Sequence, residues 1–197
     1  MTNGKCRRFE DKVILITGAT GGIGRALSYR FADEGGTVIL NFHQDSSRFT
    51  AEQMLGEIGT SSKSGTAQAD ITDPEQVKAM FVRIKEIYGQ LDVLVNNAGI
   101  NLNSLFVRTR PEDWKNLLDV NVMGTVYCCQ QAILLMNRSG GGTIVNSSSM
   151  IGLSGNAGQA IYATTKAGIV GLTKSLAREY AAKNIRVNAV AAGFVDA

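Results

Sequence analysis

Short runs of aliphatic and β-branched residues recur along the chain at 13–16, 37–40, 91–95, 143–145 and 185–190, with a weaker one at 66–69. Each is too short for a buried helix and too uniformly apolar for a strand with one wet face, so each reads as a strand covered on both sides. Between them, apolar positions return at helical spacing over 23–34, 47–58, 75–88, 112–136 and 162–182. The boundaries carry their own signals: Asp73-Pro74-Glu75-Gln76 sets a capping Asp, a Pro at the first helical position and a Gln in the first turn. Alternating strands and helices predict an α/β protein with a doubly wound parallel sheet and helices on both faces. Ligands of such sheets bind beyond the carboxyl ends of the strands, where the winding reverses.

Composition narrows the picture. A chain of 197 residues without a Pro-, Ser- or charge-rich linker reads as one domain, 1–197, with 1–10 as an N-terminal tail. Twenty Lys and Arg face 17 Asp and Glu, a net +3, too small and too dispersed for a nucleic-acid stripe. The local cluster Lys5, Arg7 and Arg8 reads as part of the solvated tail. Cys6, Cys128 and Cys129 offer neither metal spacing nor a disulfide framework, which suits a reducing compartment. The first apolar run is short and followed by Thr17-Gly18, so the expectation is a soluble cytoplasmic protein without a signal peptide, membrane span or bound metal.

Two clusters carry chemistry. The first strand runs through Thr17-Gly18-Ala19-Thr20-Gly21-Gly22-Ile23-Gly24 straight into a helix. Gly18 permits a tight turn, Gly22 lets backbone approach a pyrophosphate, Gly24 allows close helix packing, and the helix amides face the phosphates. The second cluster is Tyr162 and Lys166, one helical turn apart on one face. An ammonium roughly 4–5 Å from a phenol, at an effective dielectric of about 20, favours the phenolate by about 3–4 kcal/mol, which suits a proton donor to a developing alkoxide. Ser149, just past the fifth strand, can hold the substrate oxygen against Tyr162. Asn121, in the helix after the fourth strand, can bind a water connected to Lys166.

The spacing Gly-x-x-x-Gly-x-Gly, with Asn96-Asn97-Ala98-Gly99 after the fourth strand and the set Asn121, Ser149, Tyr162 and Lys166, resembles the short-chain dehydrogenase/reductase family. The resemblance implies a Rossmann-type fold, hydride transfer between nicotinamide and a carbonyl or alcohol carbon, and a catalytic tetrad of those four residues. It carries cofactor contacts onto Gly18, Thr20, Gly21, Gly22, Ile23 and Gly24, onto Phe42 and His43, onto Asp70 and Ile71, and onto Asn97, Ala98 and Gly99. Tyr162, Lys166 and Gly193 complete that set. Phe42 stands where NAD-preferring relatives carry an acid, and His43 or Arg48 can reach a 2′-phosphate. Gly21 stands where many NADP-preferring members carry Arg. NADP(H) is favoured over NAD(H) on balance.

Within the family the resemblance is closest to β-ketoacyl-acyl-carrier-protein reductases, through Ala98-Gly99-Ile100, Leu105, Arg108, Gly155-Asn156-Ala157-Gly158-Gln159 and Val187-Asn188-Ala189-Val190. It implies a 3-oxoacyl thioester on an acidic carrier protein, with Arg138 and Lys183 as candidate cations at the mouth of the site. Free small ketones, sugars or steroids are the alternative substrates, and a non-catalytic nucleotide-binding scaffold is the competing class. Relatives pair the helices that here carry Val120, Val122, Val126, Ile169, Leu172 and Leu176, which implies a homodimer or homotetramer. Two positions depart from the family: Ala192 replaces a Pro, loosening a turn, and Ala197 replaces a Thr that positions the nicotinamide. Family members continue past that point through a lid and a seventh strand, and both are expected to be missing here.

Overall fold

Six parallel strands form one sheet in the order β3-β2-β1-β4-β5-β6 in a computed structural model that describes residues 7–59 and 63–195. They are β1 Val13–Ile16, β2 Thr37–Phe42, β3 Gly65–Gln68, β4 Val93–Asn96, β5 Gly142–Ser149 and β6 Ile185–Ala192. Between them run α1 Gly22–Asp33, α2 Arg48–Ile58, α3 Pro74–Tyr88, α4 Pro111–Leu118, α5 Gly124–Ser139, α6 Ile151–Ser154 and α7 Ala160–Tyr180. The doubly wound α/β sheet is as the sequence pattern predicts.

Alternation along each strand divides the core. Ile14, Ile16, Val38 and Leu40 face α1 and α2, while Leu15, Ile39, Leu94 and Ile144 face α3 and α5. A fully buried Leu or Ile of this kind stabilises the fold by about 1.5–3 kcal/mol. Over β6 the coverage is one-sided, with Ile185 and Val187 buried and Arg186, Asn188 and Val190 exposed. Asp73 caps α3 through the Glu75 and Gln76 amides, with Pro74 at the first helical position.

Three features depart from the pattern. The single helix expected over 112–136 is α4 and α5 joined through a wide π-type turn, Asp119–Met123. β5 runs four residues past the apolar run that announces it, and both ends of the buried Asn146 amide are satisfied there: its Oδ1 accepts from Asn96 at 2.8 Å and its Nδ2 donates to Thr173 at 2.9 Å. Residues 7–10 are anchored although Arg7, Arg8 and Glu10 stay exposed: the Arg8 guanidinium grips the buried Glu34 carboxylate, with Nη2–Oε1 at 2.6 Å, and the half-buried Phe9 ring stands edge-on to Phe31. Lys5 and Cys6 lie outside the described residues.

Candidate active site

The winding reverses between β1 and β4, so the loops leaving these two strands part to opposite sides and leave a crevice. Gly18 turns there with φ +60°, and a Cβ on it would meet the Ala98 backbone at 2.9 Å. A Cβ on Gly24 would lie 2.3 Å from the Gly18 carbonyl oxygen and 2.8 Å from Asn97 Nδ2. The missing side chains let α1 begin against the loop with its free amides at the crevice, and α1 has no acidic residue in its first turn. A diphosphate fits this cradle: Gly21 is the cap of α1, and Thr20 and Ile23 flank it.

Two residues that the sequence reading passed over hold the cradle. Thr17 Oγ1 accepts the Asn97 and Ala98 amides at 3.0 and 3.1 Å, while Asn97 Nδ2 donates back to the Thr17 and Gly18 carbonyls at 3.0 and 3.1 Å. Asn41 accepts the Gly18 amide on Oδ1 at 3.3 Å and donates through Nδ2 to the Ala67 and Ala69 carbonyls, each at 3.1 Å. A buried Asn inside the apolar run of β2 was the available signal, since an amide there must be satisfied by something outside its own strand.

At the far end of the crevice, Phe42 is buried and the Arg48 guanidinium lies over its ring, 5.9 Å from the centroid. Arg48 also reaches Asp45 Oδ1 at 3.2 Å and the Gln68 amide oxygen. His43 is exposed, and its Nε2 lies 3.4 Å from Asp70 Oδ2. Asp70 Oδ1 accepts the Thr72 amide and hydroxyl at 2.9 and 2.8 Å, and Ile71 is buried against Gly124. The sheet order therefore brings together the expected adenosine-end residues from β2 and β3.

Ser149, Tyr162 and Lys166 line one cleft of about 490 Å³ together with Asn97, Gly99, Gln159 and Gly193. Ser149 ends β5 and its Oγ accepts the Ile151 amide at 3.2 Å, while Tyr162 and Lys166 stand in the first turns of α7. Lys166 is 5 % exposed, donates from Nζ to the Ser147 carbonyl at 2.9 Å, and lies 5.7 Å from the centre of the Tyr162 ring. Burial pushes its ammonium down from 10.5 to about 8.

Asn121 sits in the π-type turn behind this cleft. Both its Nδ2 hydrogens are engaged, by the Ile100 carbonyl at 2.9 Å and Thr165 Oγ1 at 3.1 Å, and its Oδ1 accepts the Ile100 amide at 2.8 Å. One lone pair of Oδ1 is left for a water. A Cβ on Gly99 would come within 3.2 Å of Asn121 Oδ1 and 3.5 Å of Lys166 Nζ, so glycine keeps that junction open. Ser147 and Ser148 are further residues that the sequence reading passed over, because their contributions are a backbone carbonyl to Lys166 Nζ and a 2.9 Å bond from Ser148 Oγ to the Lys166 carbonyl.

Arg138 and Lys183 are not at the mouth. Helices of a parallel sheet run back against their strands, so the ends of α5 and of the turn after α7 lie at the amino edge of the sheet. There Asn184 donates to the Gly140 carbonyl at 3.0 Å, beside the first residues of β5 and β6. Ala192 is the last residue of β6, and its carbonyl accepts the Met150 amide at 2.9 Å, so the ladder holds that backbone. Ala197 lies outside the described residues. Among the described residues no group of three or more His, Cys, Asp or Glu is placed to hold a metal, and no helix is long and apolar enough to cross a membrane.

A glycine cradle for a dinucleotide, opening onto a cleft lined by a serine, a tyrosine and a buried lysine, defines a nicotinamide-dependent oxidoreductase. The family model described as short chain dehydrogenase matches residues 12–197, and the chain belongs to that family. It is similar to curated proteins named 3-oxoacyl-[acyl-carrier-protein] reductase. That of Thermotoga maritima is 44% identical over 190 residues, covering 96% of this chain and 76% of the relative. That of Staphylococcus aureus is 44% identical over 185 residues, covering 93% and 74%, and that of Aquifex aeolicus is 40% identical over 190, covering 96% and 76%.

Proposed function

We propose that this chain reduces a 3-oxoacyl thioester, presented on an acyl carrier protein, to the 3-hydroxyacyl form with NADPH. The observation that carries the chemistry is the buried Lys166 ammonium, held by the Ser147 carbonyl beside the Tyr162 ring in a cleft that Ser149 also lines. The relatives' names and the family supply the substrate class. A nicotinamide held between the glycine cradle and this cleft would supply the hydride for the carbonyl carbon. Tyr162 gives its hydroxyl proton to the carbonyl oxygen as that oxygen gains charge, and Ser149 donates a hydrogen bond to the same oxygen. The Lys166 charge steadies the phenolate left behind, and the Asn121 lone pair holds a water through which the proton returns.

NADPH is favoured over NADH because Phe42 puts no carboxylate at the end of β2, and Arg48 stands over its ring. The deciding experiment is Tyr162→Phe, assayed with acetoacetyl thioester and by NADPH binding. Turnover falls by three or more orders of magnitude, with cofactor affinity kept within a few fold. Unchanged turnover sinks the mechanism, and no turnover in either protein favours a nucleotide-binding scaffold.

A further inference from the structure

Two segments wall the cleft: the loop 97–105 after β4, and residues 150–159 after β5, which include α6. They are fastened to each other. The Ser104 amide donates to the Gly158 carbonyl at 2.8 Å, and Gln159 Nε2 donates to Asn101 Oδ1 at 2.9 Å. The other end of the same amide is also held, since Asn156 Nδ2 donates to Gln159 Oε1 at 2.7 Å. Gln159 is 6 % exposed, yet it lines the cleft together with Asn101.

Its place in the chain makes this arrangement informative. Gln159 immediately precedes α7, and its carbonyl accepts the Ala163 amide at 2.8 Å, one turn from Tyr162. A side chain at that position ordinarily caps the free amides of its own helix, and Ser, Thr, Asp or Asn do it best. This one makes no cap bond. Its amide crosses to the opposite wall instead, so one residue sets both the start of the tyrosine helix and the reach to the loop that follows β4.

We propose that Gln159 is a positioning residue whose bridge to Asn101 fixes the gap between the two walls, and so the line along which the substrate carbonyl meets Tyr162 and Ser149. The inference rests on the reductase reading above. Loss of the bridge leaves the cradle of β1 and α1 untouched but lets the facing wall drift, and a misplacement of about 1 Å costs on the order of a hundredfold in rate.

Compare Gln159→Leu, Asn101→Ala, the double variant and Gln159→Glu, with acetoacetyl thioester turnover, NADPH affinity and hydrogen exchange of the Ser104 amide as readouts. Each single truncation is expected to lower kcat at least tenfold, with KM and NADPH affinity changed less than threefold. The double variant is expected to lose no more than the worse single. Gln159→Glu keeps one oxygen for Asn156 and offers the other to a turned Asn101 amide, so it should recover most of the rate. Ser104 exchange should quicken at least tenfold in Gln159→Leu while the amides of α7 beyond Lys166 stay protected. The proposal is overturned if Gln159→Leu keeps kcat within twofold, if the two losses multiply, or if NADPH affinity falls in step with kcat. If the wild-type chain turns over no 3-oxoacyl thioester, the reductase reading fails by itself, and the Ser104 amide still decides the bridge: unaltered protection overturns it.

Discussion

At the scale of single residues, Lys166 opposes the fold that it serves. Its drop from 10.5 to about 8 corresponds to about 3 kcal/mol. Between those two values the unfolded chain binds the proton and the folded chain does not, so stability rises with pH across that window. Below pH 8 the charged amine opposes folding by the full amount, and above 10.5 both states are neutral. Lys166→Met should therefore unfold at higher urea than wild type at pH 7, by up to about 3 kcal/mol, with the gain shrinking as pH approaches 10.5. A gain equal at both pH values would mean that packing, not charge, is responsible. Phe42→Asp belongs to the same scale: a carboxylate at the end of β2 repels a 2′-phosphate and accepts ribose hydroxyls. NADPH affinity should fall while NADH affinity rises, as titration by nicotinamide fluorescence will show, and equal loss of both cofactors contradicts the NADPH preference.

At the scale of elements, the approach of α1 to β1 depends on one absent methyl. A Cβ on Gly24 would overlap the Gly18 carbonyl oxygen at 2.3 Å, backbone that cannot yield without moving the helix. Gly24→Ala should cost about 1–3 kcal/mol in urea unfolding and weaken NADPH binding more than tenfold. Retention of both sinks the close-packing account. The two glycines were readable in the sequence because no other residue tolerates such contact. The π-type turn at Asp119–Met123 was not, since the apolar spacing of 112–136 continues through it. It forms where the Asn121 side chain finds the Ile100 backbone, a partner distant in sequence.

At the scale of the whole molecule, the two ends of the sheet have different work. The carboxyl edge carries the cradle and cleft, and the amino edge carries the ends of α5 and α7, Arg138 and Lys183 with them. Arg138→Glu/Lys183→Glu should leave the preference for carrier-borne over small-thiol acetoacetyl substrate unchanged within twofold, measured as a ratio of kcat/KM values. A selective loss on the carrier-borne substrate would put the docking surface at the amino edge. The family resemblance leads us to expect a dimer through α5 and α7. Ile169, expected at the same interface, is buried within the chain at 1 %. Light scattering at micromolar concentration should give at least twice the chain mass, and a monomer refutes it.

The sequence alone determined the order of the strands and of the long helices between them, the glycine motif and the Tyr162–Lys166 pair, but not the break at Asp119–Met123 or the short α6. Hydrophobic period, the Gly-x-x-x-Gly-x-Gly spacing and one turn of helix are local properties that a chain states directly. The partners of Asn41, Asn121 and Gln159 and the polar continuation of β5 were decided only by the tertiary structure. Each depends on which strands are neighbours and which way a helix returns, and β1 lies beside β4 because of packing between segments some eighty residues apart.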